Sequence, residues 1–380
     1  MKILIDASCL APPLTGVGRY ARNIIERLPA ALPDAEFRYF LGGRWAAALP
    51  DRARGSFTQA GLLRHLARRI PVSWPLWRGL QAALWRGSLS AEDRGSVCFA
   101  PNFLPPCPWT PCVPVVHDLS FLRLPESLPQ GRRARLQDLR RHLHRASAII
   151  AVSGFTAKEM VAEYGLRAER IHLAPPGVAP RFWRDAPPPP ESLAEFSLSP
   201  QGYYLCVGTF EPRKNLATLV AAYSRLPSCM RERFPLVLAG APGWGNYGWA
   251  PSWETLANSG QLRILDYVPD EALADLYGGA IALCMPSLYE GFGMPVAEAL
   301  AGGTPVLASN AGALPATVGP GGILLSPLDV PAWTDAMIVM AEDDALRRRL
   351  AAAGRPHGRS FRWDASALVV AAALRAADPA

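Results

Sequence analysis

The sequence predicts an α/β protein built of two doubly wound domains that face a cleft, and three observations predict it. Short apolar runs ending in loops alternate with helical patterns along the whole chain, as in βαβ units whose parallel sheet is covered on both faces. The 380 residues are two to three domain lengths at about 150 residues each, and half of them are hydrophobic, enough for sizeable cores. The alternation is interrupted once, by the proline-rich stretch 185–200 (DAPPPPESLAEFSLSP), and then resumes.

The opening reads as strand 2–6, a Pro/Gly-rich loop over 11–18 and a helix over 20–28. Further strands are expected at 37–41, 97–100, 113–116, 148–152 and 171–174, with helices at 132–145 and 156–163. These compose an N-terminal, acceptor-side domain over 1–184. The four-proline run makes 185–200 a stiff, extended linker. A second domain over 201–358 has strands at 203–207, 236–239, 281–285 and 305–308, and helices at 216–224, 271–277 and 295–301. The tail 359–380, helical over 363–377, is expected to pack back on the N-terminal domain. Open parallel sheets take ligands beyond their strand carboxyl ends, so loops of both domains should meet the ligand.

Composition narrows the function. Lys and Arg number 39 against 32 Asp and Glu, for a net charge of +7 and a pI of 9.2, which suits an anionic partner. Nearly all of the positive charge is arginine; only Lys2, Lys158 and Lys214 are lysines, a hint that those sites want a compact ammonium. The apolar content excludes a disordered chain, and Gly and Pro show no collagen-like period. Seven cysteines, odd in number and without CxxC or Cys/His spacing, argue against a disulfide framework or a zinc site. The N-terminal apolar run is broken by Asp6, and no stretch reaches about 18 uncharged apolar residues. The expected compartment is therefore the reducing cytoplasm.

Four constellations carry chemistry. The densest is SLYEGFGMPVAE, where Glu290 and Glu298 bracket Gly291, Gly293 and Pro295 between an apolar strand and an Ala-rich helix. Glu290 falls in the loop and Glu298 one turn into the helix. Glycines admit close main-chain approach, and a helix start attracts phosphate or sugar oxygens. Two carboxylates there can accept paired hydrogen bonds from a polyol; the plainer reading is a helix start with dipole-favoured acids. The second constellation, GTFEPRKN, sets Arg213 and Lys214 just after a strand, where a diphosphate can be held, or where a solvated basic turn can sit. In VVHDL, His117 ends a strand and can donate to a substrate oxygen or serve the core. In TGVGRY, Gly16 and Gly18 permit close backbone approach.

Together with AVSGFT, PPGV, DYVPDEAL and GGTPV, these segments resemble the glycosyltransferases of family 4, retaining enzymes of the GT-B fold that use nucleotide-activated sugars. The resemblance runs over nearly the whole chain, and Glu290, seven residues, Glu298 is its most specific part. It implies that Arg213 and Lys214 grip the donor diphosphate. It further implies that Glu290 holds donor-sugar hydroxyls, helped by main-chain amides at Gly291, Phe292, Gly293 and Met294. Glu298 would take the ribose hydroxyls, and His117 would contact the donor sugar and stabilise the transition state. Gly16 would let the first loop approach donor and acceptor, and Val268 would lie in a base-contacting turn. The implied mechanism is front-face transfer with retention, without covalent nucleophile, cofactor or metal; no DxD motif occurs.

The resemblance points to bacterial mannosyltransferases, hence to GDP-mannose as donor and a saccharide or polyprenyl-linked acceptor in exopolysaccharide, O-antigen or capsule assembly. UDP-glucose and dTDP-rhamnose are alternative donors, and a nucleotide-sugar epimerase or a phosphorylase is the alternative on the same fold. The pI motivates a nucleic-acid-binding protein instead, but no RNA- or DNA-binding motif is present. Residues 54–91 contain no acid yet hold Arg64, Arg68, Arg69, Arg78, Arg86, Trp74, Trp77 and Trp85, a composition suited either to an anionic membrane interface at the inner face of the cytoplasmic membrane or to a solvated Arg face on core-packed helices. The loop APGWGNYGWAPSW holds Trp244, Tyr247, Trp249 and Trp253, which suit either stacking on a base or stapling a surface loop.

Overall fold

A computed structural model describes residues 1–11, 14–49, 73–87, 89–90, 93, 95–106, 109, 111–129, 131, 136–245 and 252–379, with residues 73–78 as backbone. Continuous apolar runs form its central strands because both faces of a parallel sheet are covered, so no polar alternation is needed. VCFA and ALCM, for example, are buried at every position.

Seven strands make the first sheet: β1 Lys2–Asp6, β2 Glu36–Phe40, β3 Trp45–Ala46, β4 Val97–Ala100, β5 Cys112–Val116, β6 Ile149–Ala151 and β7 Ile171–Leu173. Their order is β3-β2-β1-β4-β5-β6-β7, parallel except for β3, which runs antiparallel beside β2. Six strands make the second: β8 Tyr204–Val207, β9 Leu236–Ala239, β10 Leu262–Leu265, β11 Ala282–Met285, β12 Val306–Ser309 and β13 Gly322–Leu325. They lie in the order β10-β9-β8-β11-β12-β13, all parallel. Both sheets are thus doubly wound, and the winding reverses between β1 and β4 and between β8 and β11. Beyond the strand carboxyl ends at such a reversal the flanking loops part and leave room for a ligand.

The chain forms two units: Met1–Arg123 with Pro129–Pro176 and Trp363–Ala380, and Leu124–Leu128 with Gly177–Arg362. In the first unit, Tyr20, Phe40, Phe99 and Trp85 are fully buried large side chains. In the second, Trp333, Tyr204 and Tyr223 anchor the core with Leu219, Leu238 and Met337. Each such aromatic removes about 150–250 Å² from water, about 4–6 kcal/mol at 25 cal/mol per Å².

Three sequence expectations are corrected. Residues 185–200 are not an extended linker: they include the helix Glu191–Ala194 and belong to the second unit, as do residues 177–184. Leu193 and Leu198 are buried, and the chain lies so close to Gly279 that a Cβ there would stand 2.7 Å from Leu193. The prolines stiffen a segment laid along the domain; rigidity in sequence does not say where a boundary falls. The first helix spans Gly16–Ile25 rather than 20–28, because Thr15 caps it by accepting from the Gly18 N–H at 3.5 Å. Gly16 is therefore its first residue, not a loop residue. Trp85 is no membrane-facing residue: it is wedged between Phe40 and Trp45, ring centroids 5.0 and 4.5 Å away. Arg64, Arg68 and Arg69 lie outside the described residues, as do the side chains of Trp74, Trp77 and Arg78.

The C-terminal helix Trp363–Ala377 belongs to the first unit. Its Trp363 packs on Tyr20 at 5.8 Å, Ser366 donates to the Pro175 carbonyl, and Val370 and Leu374 are fully buried. No helix among the described residues is long and apolar enough to cross a membrane. Cys9, Cys98, Cys112, Cys206, Cys229 and Cys284 are free thiols.

Candidate active site

Two loops leave the carboxyl ends of the adjacent strands β8 and β11, at the reversal of the second sheet. The first passes through Glu211 into a single 3-10 turn, Pro212–Lys214, and then through Asn215 into the helix Leu216–Ser224. The second runs from Pro286 to Gly293 and enters the helix Met294–Ala301, with Pro295 in its first turn where a missing N–H is harmless. Gly293 takes φ +95 to make that entry. The loops are stitched by the Leu288 N–H, which donates to the Arg213 carbonyl at 2.8 Å.

The stitch brings together what the sequence separates by 76 residues. Lys214 Nζ lies 2.6 Å from Glu290 Oε1, and Arg213 Nη1 lies 2.9 Å from Glu290 Oε2. Arg213 also reaches the Tyr289 carbonyl at 3.0 Å, and its Nε lies 2.6 Å from Glu211 Oε1. Ser287 donates its hydroxyl to Glu290 Oε1 at 2.8 Å. The Glu290 main chain is held as well, its carbonyl accepting from the Ala313 N–H at 2.9 Å. This close approach requires glycine at 312, where φ is +62 and a Cβ would lie 2.5 Å from the Glu290 oxygen.

Glu290 is only 6% exposed. Burial by itself would push its carboxyl up, but the charges of Arg213 and Lys214 and their hydrogen bonds outweigh it and hold it down to about 2. The carboxylate is therefore ionised at any working pH. Two carboxylates and two cations balance within the cluster, so an incoming anion competes with Glu290 for Lys214 and Arg213. Among the described residues, no group of three or more His, Cys, Asp or Glu could hold a metal ion.

Glu298 lies one turn into its helix, 2% exposed, and its Oε2 accepts from the Tyr277 hydroxyl at 3.1 Å. Phe292 is anchored through its carbonyl, which accepts from Thr317 at 2.6 Å. Val268 follows β10 on the same carboxyl edge and is half-buried. In the aromatic loop, Tyr247 and Trp249 lie outside the described residues. Trp244 donates its indole N–H to the Ser127 carbonyl at 2.8 Å, and Trp253 opens the helix Trp253–Asn258 against the core.

In the first unit His117 follows β5. Its Nε2 lies 2.8 Å from the Pro101 carbonyl, which can only accept, so Nε2 carries the proton and Nδ1 is the acceptor of the neutral ring. Tyr20 and Phe103 pack edge-on against it at 5.2 and 5.5 Å. Burial pushes its pKa below the usual histidine value and keeps the ring neutral at pH 7. Asp118 beside it caps the short helix Ser120–Arg123, accepting from the Ser120 N–H and hydroxyl. Gly16 is exposed at its helix start.

Motif and spacing mark Arg213, Lys214 and Glu290 but not the residues that hold them. Ser287 and Asn215 stand inside the quoted segments, yet nothing in their spacing marks them as partners. Gly312 and Tyr277 carry no local signal at all, because their contacts are made across the fold.

Two family profiles match the chain: "Glycosyl transferases group 1" over residues 194–357 and "Glycosyltransferase Family 4" over residues 14–182. The chain is 33% identical over 372 residues to the O-antigen chain mannosyltransferase B of Escherichia coli, covering 96% of this chain and 97% of that one. Among solved structures, it is similar to sucrose-phosphate synthase from Thermosynechococcus elongatus, with 22% identity, a TM-score of 0.68 and 98% of both chains covered. It is also similar to HepE of Anabaena, solved in complex with UDP-glucose, with 18% identity, a TM-score of 0.68 and 99% of both chains covered. Both neighbours have the GT-B architecture, and so does this chain.

Proposed function

The chain is a glycosyltransferase of family 4, and from that premise we propose that it moves mannose from GDP-mannose to a saccharide or polyprenyl-linked acceptor in cell-surface polysaccharide assembly. The observation that carries the donor class is the convergence of Arg213 and Lys214 beyond β8 and β11. Two cations on a short turn suit a diphosphate, with Arg213 forking across two oxygens and Lys214 acting as a point charge. The choice of mannose is supported by the similarity to the Escherichia coli O-antigen chain mannosyltransferase B.

In this reading the donor diphosphate takes the place of the Glu290 carboxylate on both cations. Glu290, released, accepts hydrogen bonds from donor-sugar hydroxyls, beside the amides of Gly291, Phe292, Gly293 and Met294 at the helix start. Glu298 takes the ribose hydroxyls, exchanging or sharing its bond from Tyr277, and Val268 borders the base. As the glycosidic bond breaks, Arg213 and Lys214 stabilise charge on the departing nucleotide without a metal. The acceptor attacks from the same face, its proton passes to the leaving phosphate, and configuration is retained. His117, neutral, serves the donor sugar through Nδ1, and Gly16 leaves room for main-chain approach.

The test is a thermal-shift screen with GDP, UDP, dTDP and their sugar conjugates, followed by transfer assays. A ligand bound only by the folded chain at a hundredfold excess over its Kd adds about 2.7 kcal/mol. A selective shift with GDP or GDP-mannose is expected; a selective UDP or dTDP shift replaces the donor, and no shift with any nucleotide overturns the reading. Peripheral membrane contact through Arg64, Arg68 and Arg69 is tested by co-sedimentation with anionic liposomes. Unchanged binding after replacing all three removes it.

A further inference from the structure

We infer that Asn215 is a positioning residue for the diphosphate grip, acting through Arg213 and Lys214; the inference rests on the donor reading above. Asn215 follows Lys214 directly and takes φ +56, ψ +38, the left-handed conformation that asparagine and glycine adopt most readily. A β-branched or bulky residue there would strain the turn that aims Lys214 back at Glu290.

Its side chain uses both amide N–H groups and its oxygen. Nδ2 donates to the Pro286 carbonyl at 3.0 Å and to the Pro327 carbonyl at 2.6 Å. Oδ1 accepts from the Thr218 hydroxyl at 2.8 Å. Pro286 is the first residue after β11, and Pro327 lies two residues beyond β13. One buried amide thus ties the cationic turn to the ends of two other strands and to the first turn of the helix it begins. Beside the Leu288–Arg213 main-chain bond, it adds a side-chain stitch between the β8 and β11 loops that does not pass through the charged groups.

An aspartate in its place would keep the backbone and the Thr218 bond but set a charged oxygen against two carbonyl oxygens. A glycine would keep the backbone and lose all three bonds. Either leaves the cations on a looser turn, which must then be ordered when an anion arrives.

The test is titration calorimetry of the full chain, with wild type, Asn215→Gly and Asn215→Asp each titrated with GDP and GMP and, in parallel, UDP and UMP. Thermal melts establish that each variant is folded. Both variants are expected to bind the diphosphate about tenfold more weakly while the monophosphate changes less than about threefold, because the pair grips the terminal phosphate. A global structural role would weaken both nucleotides alike. Equal losses, or an unchanged diphosphate affinity in either folded variant, overturn the inference. A wild-type chain that binds none of the four nucleotides overturns the donor reading itself, and the inference with it.

Discussion

In the first unit Asp93, fully buried, is flanked by Lys2 at 2.7 Å and Arg38 at 2.5 Å, with the Ser90 N–H and hydroxyl on the same carboxylate. In the second, Glu290 is flanked by Lys214, Arg213 and the Ser287 hydroxyl. Both clusters set a buried carboxylate against one lysine, one arginine and one serine, and the Glu290 cluster adds Glu211 as a second carboxylate on Arg213. They use two of the chain's three lysines; the third, Lys158, is exposed on a helix. What separates them is the end of the sheet. Lys2 opens β1 and Asp93 stands four residues before β4, so that cluster pins the amino ends of two strands. The Glu290 cluster lies beyond the carboxyl ends of β8 and β11, where helix starts converge and loops can part around a ligand. A buried ion cluster is therefore not a site by composition; its position in the winding makes it one.

The sharpest test removes one charge from each cluster. Lys214→Ala is expected to lower transfer about 10²- to 10³-fold, as when one preorganised charge facing the leaving group is removed, with the fold retained in far-ultraviolet circular dichroism. Near-wild-type turnover would place the Glu290 cluster in the same class as the Asp93 cluster. Asp93→Asn should do the opposite: about 2 kcal/mol less stability and a Tm lower by several degrees, with nucleotide affinity unchanged in calorimetry. A third variant, Glu290→Gln, leaves Lys214 and Arg213 without their carboxylate. It is expected to bind GDP a few-fold more tightly than wild type while losing transfer, about 1 kcal/mol in binding. If GDP binding weakens instead, Glu290 does not compete with the diphosphate.

The pH effects are smaller. Glu290 titrates near 2 in the folded chain against an ordinary 4.5, so its contribution is whole above pH 4.5 and is lost as pH falls toward 2. The stability gap between wild type and Glu290→Gln, followed by denaturant melts, should be flat above pH 4.5 and close below it. His117 has the same sign for a different reason. Burial lowers its pKa, so the neutral ring supports folding fully above about pH 6.5 and less as acid charges it. An acid limb of transfer activity starting above pH 7 would contradict a neutral His117.

Much of this was legible in the chain. The alternation of apolar runs and helical patterns announced two doubly wound sheets, and the strand–Gly–Pro–helix punctuation put Glu290 in a loop and Glu298 a turn into the next helix. The misreadings share a cause. The proline run reads as a linker because stiffness is local, whereas its burial against Gly279 depends on residues some ninety positions away. The tryptophan-rich stretch read as an interface, yet Trp85 found Phe40 and Trp45.

By itself the sequence determined the elements, their alternation and the residue types able to hold a sugar nucleotide, because periodicity, capping and turn chemistry act within a few residues. Only the tertiary structure decided which charges meet: Lys214 with Glu290, Lys2 with Asp93, Asn215 with two distant proline carbonyls. Such pairs form when the sheet's winding brings loop ends together, and the energy of a buried charge depends on that company rather than on its neighbours in the chain.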